Sequence, residues 1–307
     1  SQGCDEWHPE PVTLSPPAWQ PRSGASPGLV WTTPAVGQPP FEFQWLREGA
    51  PLAASPRHIG ERSATMTIQP LMPDDAGRYQ VVISNAFGAI TSAVTRLAIH
   101  CVDAAATGAV PPYTNWATAA TSLQDAVDAA ASGALVLAAN GVYARGGRVV
   151  AGDLTNRVAL IRPVTLWGIG GPEQTIIEGA WDPVTTNGPG AIRTVSLASG
   201  AGLRGFTVRG GATRNTGSTI LEKSGGGVWC ESPLASVSHC IIRDNRAAAA
   251  PGPASSINAP LCTTRRRAAA APTRPRITIA SSGPTRLRCT PTTMRPKSTP
   301  PAPHPRP

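Results

Sequence analysis

Between Val12 and Ile99 no single pattern lasts long. Short runs of alternating apolar and polar residues are cut repeatedly by Pro, Gly and Asp. The runs are Leu29 to Thr33, Phe41 to Leu46, Ala64 to Ile68, Tyr79 to Ile83 and Ala89 to Ile99. Such runs are too short for amphipathic helices, and an alternation of two puts every second side chain on one face. Several short strands with turn residues between them predict an all-β sandwich. Asn85-Ala86-Phe87-Gly88 predicts a hairpin turn, with Gly88 free to take a positive φ.

Trp45, followed by Asp75-Ala76-Gly77-Arg78-Tyr79-Gln80-Val81, resembles the immunoglobulin superfamily, in particular the I-set-like domains of large bacterial surface proteins. The resemblance implies a buried strand-C tryptophan at Trp45 and a tyrosine corner at Tyr79. It also implies that Asp75 pairs with Arg57 or Arg62. Val81 stands where the family has its strand-F cysteine, and strand B has no cysteine either, so apolar packing replaces the disulfide.

A second texture begins after an Ala/Val/Pro linker at 101–112. Ser122 is a natural N-cap, Asp125 at N3 completes an approximate capping box, and Leu123, Ala126, Val127 and Ala130 share one helical face. Gly133 can end that helix. An apolar run from Ala134 to Ala139 follows, then Asn140-Gly141-Val142-Tyr143. Helix, strand and this tetrapeptide together resemble the N-terminal cap of pectin-lyase-like right-handed parallel β-helices. Short β-runs then recur, several of them ending in Gly, from Val164 to Asn245, with coils of twenty-odd residues interrupted by loops near 182–190 and 212–224. The expected order is a leader at 1–10, an Ig-like sandwich at 11–100, the linker at 101–112, a truncated parallel β-helix at 113–246 and a tail at 247–307.

The tail carries the charge. The chain has 27 Lys/Arg against 18 Asp/Glu, a net charge of +9; ten of the basic residues and none of the acidic ones follow Arg246, leaving 17 against 18 before it. The body is therefore near neutral, and attraction to phosphate would come from the tail alone. Its Ala/Pro/Arg-rich composition predicts disorder. A sharper reading is a shifted reading frame: the codons for Arg286 to Arg295, read two nucleotides later, are compatible with Leu-Tyr and Asn-rich coil sequence. The chain begins at Ser1 with no targeting segment in view, which suggests a processed or partial chain. No apolar stretch reaches the length of a membrane span.

No catalytic, cofactor-binding or metal-ligating set is expected. Asp153, Glu178, Asp182, Glu222, Glu231 and Asp244 are scattered about one per coil, with Arg209 and Arg243 at coil ends, and a calcium site needs six to eight grouped oxygens. His8, His58, His100, His239 and His304 are isolated. Cys230 and Cys240 can face each other, as a disulfide or as packing; Cys4 and Cys101 bracket the sandwich. Gly225 to Gly227 lack the Lys-Ser/Thr of a phosphate loop and suit a turn between coils. The chain reads as a non-catalytic, exported surface or structural protein whose partner is a polysaccharide or another surface protein. The alternative is a polysaccharide lyase or hydrolase with its catalytic coils missing from this chain. A nucleic-acid role would rest on the tail alone.

Overall fold

The computed structural model describes residues 17–22 and 27–249, with the backbone of three two-residue strands at Val12–Thr13, Ser256–Ile257 and Ile277–Thr278. The leader and the expected disordered or frame-shifted tail otherwise lie outside the described residues, as do Cys4, His8 and His304.

The first unit is a two-sheet antiparallel sandwich. One sheet has the order Ala18–Pro21, Leu29–Thr32, Thr65–Ile68, His58–Ile59. In the other, Gly77–Asn85 lies between Gly88–Thr91 and Glu42–Arg47, and also pairs with Thr95–Leu97. Alternation sends Leu29, Trp31, Trp45, Met66, Ile68, Tyr79, Val81 and Ile83 into the core, each with no exposed surface. Val81 sits directly across from Trp45 in the strand register. The Trp31 ring lies 4.9 Å from Tyr79 and 6.5 Å from Trp45, both tilted. Stacked aromatics thus occupy the centre that a disulfide would otherwise bridge. The Tyr79 hydroxyl donates to Asp75 O at 2.7 Å, and burial pushes its pKa up to about 12. Asn85 and Gly88 face each other across a two-residue hairpin, with Phe87 N donating to Asn85 Oδ1 at 2.9 Å.

Asp75 has no exposed side-chain surface and is held by Arg57, not by Arg62. Arg57 donates to both carboxylate oxygens at 2.9 and 3.1 Å, Met72 N donates at 2.7 Å, and His58 Nε2 lies 3.2 Å away. A buried carboxylate tolerates burial only with such compensation.

The second unit is a parallel β-solenoid with three sheets. The first runs Ile99–Val102, Leu135–Ala138, Thr165–Gly168, Gly202–Arg204, Ser236–Ser238. Next come Gly141–Tyr143, Thr175–Glu178, Thr207–Arg209 and Ile241–Arg243. The third holds the parallel strands Thr155–Leu160, Ile192–Leu197 and Val228–Cys230, with the two-residue strand Arg148–Val149, inside the loop that leads into it, pairing antiparallel with the start of Thr155–Leu160. Register stacks like on like: Tyr143, Ile177, Val208 and Ile242 form one column, and Val158, Val195 and Val228 another. Ile99, Leu135, Thr165, Gly202 and Ser236 share another column, so one coil takes 30 to 37 residues rather than twenty-odd. The loops lengthen each coil while the strands keep register.

Ile99–Val102 straddles the expected sandwich–linker boundary: it is the first strand of the solenoid. Its neighbour Leu135–Ala138 is buried at all four positions, which is why the sequence there is continuously apolar. Val102, Val136 and Ala138 face the solenoid core. Ile99, Leu135, Leu137 and Trp167 point the other way and join the sandwich core beside Leu71 and Leu97. Arg204 lies 5.0 Å over the Trp167 ring and donates to Arg22 O at 3.2 Å. The sandwich therefore rests on the outer face of the first solenoid sheet.

The helix Leu123–Ala129 closes the N-terminal end. Ser122 Oγ accepts from Asp125 N at 3.2 Å, and Leu123, Ala126, Val127 and Ala130 are buried in the solenoid core.

Candidate ligand-binding face

Three loops connect the second sheet to the third, at 144–154, 179–191 and 210–227. They occupy the same position in successive coils, so they emerge on one edge of the solenoid, where inserted residues can form a binding surface. The outer face of the first sheet is covered by the sandwich and the N-terminal end by the helix.

In the second loop, Asp182 organises its own turn. Its carboxylate accepts from Val184 N at 3.0 Å, Thr185 N at 2.9 Å, Thr185 Oγ1 at 3.0 Å and Gly190 N at 2.8 Å. Those hydrogen bonds, led by the one from Gly190, hold its pKa down at about 2. Short polar side chains that fold back on the backbone make such turns in place of regular structure. The turn displays Trp181, 43% exposed, and Val184, 88% exposed. Arg246 stands 5.4 Å over the Trp181 ring.

The third loop is pinned by two buried groups. Arg193 is 3% exposed; it donates to Gly225 O at 3.0 Å, Ser224 O at 2.9 Å, Leu221 O at 2.5 Å and Asn156 Oδ1 at 3.0 Å, and lies 5.7 Å from the Trp229 ring. Burial lowers its pKa to about 10, leaving it charged at neutral pH. Glu222, 8% exposed, accepts from Asp153 N and Ser218 N, both at 2.9 Å. Arg214 lies 3.8 Å from Glu222 and 3.7 Å from Asp153. Asn187 of the second loop donates to Thr213 O and Thr213 Oγ1, each at 3.1 Å.

Two carboxylates that are 69 residues apart in sequence, Asp153 and Glu222, thus meet around one arginine. The remaining candidates stay apart. Glu178 pairs with Arg209 at 3.0 Å on the outside of the second sheet, and Arg243 beside it pairs with Asp244 at 2.7 Å. Glu231 accepts from Ser199 N at 3.3 Å. His58 belongs to the Asp75 cluster, and His100 Nδ1 lies 2.6 Å from Pro112 O. His239 has its pKa lowered by partial burial and then by Arg204. No group of three or more metal-ligating side chains occurs among the described residues.

No disulfide joins Cys230 and Cys240; both thiols pack in the solenoid core, and Cys101 is a buried thiol near the sandwich. Gly225 to Gly227 serve close approach between coils: a Cβ on Gly226 would strike Arg246 O. Sequence reading missed Arg193, Arg214, Asn245 and Trp181. Asn245 ties adjacent coils, donating to Val208 O at 3.0 Å and accepting from Gly211 N at 2.8 Å. The signal for Trp181 was available, since a tryptophan inside an inserted loop has no strand alternation to bury it.

No helix among the described residues is long and apolar enough to cross a membrane. Comparison with known proteins bears on the first unit. Contactin-5 of Danio rerio is 38% identical over 64 residues, covering 21% of this chain and 6% of the relative. Contactin-5 of Mus musculus is 37% identical over 62 residues, 20% of this chain and 6% of the relative. The chain therefore matches only a small part of the length of these relatives. Among solved structures, the titin M3 domain aligns with a TM-score of 0.23 and 20% identity, covering 29% of this chain and 95% of that one. Residues 29–98 match the Immunoglobulin I-set domain family.

Proposed function

We propose that this chain is a non-catalytic module of an exported, cell-surface protein. In this reading the sandwich and solenoid act as one block, and the loop face contacts a carbohydrate. The I-set match at residues 29–98 supports the surface and adhesive part of the reading. Trp181 carries the carbohydrate part. A 43%-exposed indole is an apolar platform on which a sugar ring can stack, and the Arg246 guanidinium, which lies over one face of the ring, supplies hydrogen-bond donors there. The neighbouring cations Arg209, Arg214 and Arg243 are all occupied by carboxylates.

A glycan array probed with the full chain and with Trp181→Ala tests this. Selective binding that falls about fivefold or more in the variant is expected, since one stacking contact is worth about 1 kcal/mol or more. An array on which the wild-type chain binds nothing overturns the carbohydrate reading.

A further inference from the structure

We propose that Glu222 is the clasp that holds the loop face in its displayed form, and so positions Trp181 without touching a ligand. This rests on the Trp181 reading above only for its functional consequence. The geometry of the clasp stands separately.

Glu222 binds two segments at once: Asp153 N of the first loop and Ser218 N of its own loop. The backbone is shaped around this carboxylate. Gly152 and Gly217 have φ of +61° and +84°, a region that side chains disfavour, and a Cβ on either would strike the Glu222 carboxyl group. Both positions thus suit glycine twice over, by their positive φ and by the closeness of the Glu222 carboxyl group. The groups facing Glu222 are Arg214 on its own loop, Asp153 on the first loop and Arg193 on the third sheet. The cations outweigh the one acid, and the hydrogen bond from Asp153 N, followed by that from Ser218 N, holds the Glu222 pKa below the usual glutamate range.

The clasp reaches Trp181 through a short chain of contacts. Glu222 fixes the third loop. Thr213 of that loop receives the Asn187 carboxamide; Asn187 N donates to Thr185 O at 2.7 Å, and the adjoining Thr186 exchanges backbone hydrogen bonds with Asp182, closing the turn that carries Trp181. Protonating Glu222 removes charge from both hydrogen bonds and from the Arg214 pair. The clasp is thus full at neutral pH and weakens as pH falls through the lowered pKa.

Glu222→Gln removes the charge at neutral pH and leaves one acceptor oxygen for the two N–H donors. Hydrogen exchange on the full chain should show amides of 179–191 and 210–227 exchanging about tenfold faster in this variant, with the sandwich unchanged. Glu222→Asp, too short to reach both donors, should behave like the glutamine variant. Unchanged exchange at 179–191 in both variants overturns the clasp. If exchange rises in the variants while neither wild type nor variant binds any glycan, the clasp stands and the carbohydrate reading fails.

Discussion

The Gln124 carboxamide pairs with the backbone of Ala159 as a neighbouring strand would. Its Oε1 accepts from Ala159 N at 2.8 Å and its Nε2 donates to Ala159 O at 3.2 Å. Thr155–Leu160 is the first parallel strand of the third sheet, and its partner on the N-terminal side, along most of its length, is a helix. A helix cannot continue a sheet ladder, so one side chain does so at a single residue. The Ala159 backbone groups are buried, and an unpaired buried peptide group is costly.

Gln124→Leu should therefore destabilise the solenoid by about 2 kcal/mol, because it leaves a donor and an acceptor unpaired in a buried site. Gln124→Glu keeps the acceptor but sets a buried carboxylate against Ala159 O and the Asp128 carboxylate, so at neutral pH it should cost at least as much. Urea unfolding measures both. A leucine variant as stable as wild type would show that the carboxamide is not needed for closure.

Asp75→Ala should cost the sandwich about 3 kcal/mol, since it strands Arg57 and His58 beside a cavity and frees Met72 N. Arg62→Ala should change stability by under about 0.5 kcal/mol, as Arg62 is exposed. Thermal unfolding of the two variants distinguishes the arginine that pairs from the one that does not.

Trp167→Ala should cost about 3 to 5 kcal/mol, in the range of a buried large-to-small change. Trp167 lies in the sandwich core but on a solenoid strand. Its loss should also uncouple the units, turning one unfolding transition into two. Calorimetry reads this directly; a single unbroken transition at the wild-type temperature would contradict a shared core.

Burial pushes the Cys101 thiol up to about 12 and the Cys240 thiol up to about 11. An unfolded thiol titrates near 8.5. Folded protein thus holds these protons where unfolded protein releases them. Their contribution to stability is complete below about pH 8.5 and is lost as pH rises through the folded values. Peptide-mapped alkylation at pH 8 should leave Cys101 and Cys240 unmodified in native protein and label both in denaturant. Labelling of either without denaturant would show that the site opens.

Much of the local structure was legible. Alternation around Trp45 and Tyr79 gave the sandwich, because inward and outward positions are set two residues at a time. Ser122 and the spacing of Leu123, Ala126 and Val127 gave the helix, for an equally local reason. Coil length was misjudged because loops of differing size hide the repeat, and only the pairing of Leu135 with Ile99 and of Gly202 with Thr165 reveals it. The scattered carboxylates misled for a related reason: Asp153 and Glu222 are distant in sequence but meet once two coils are stacked.

By itself, then, the sequence determined the alternating strands around Trp45 and Tyr79, their inward faces and the cap helix, which follow from backbone periods and capping chemistry within a few residues; the strands Thr155–Leu160 and Ile192–Leu197 were not read from it. Only the tertiary structure decided that Ile99–Val102 begins the solenoid while lending Ile99 to the sandwich core, that Arg57 rather than Arg62 holds Asp75, and that Glu222 closes on the loop bearing Asp153. Those choices depend on how coils register and which faces meet, and burial and hydrogen-bond satisfaction settle them across the whole chain rather than within any one segment.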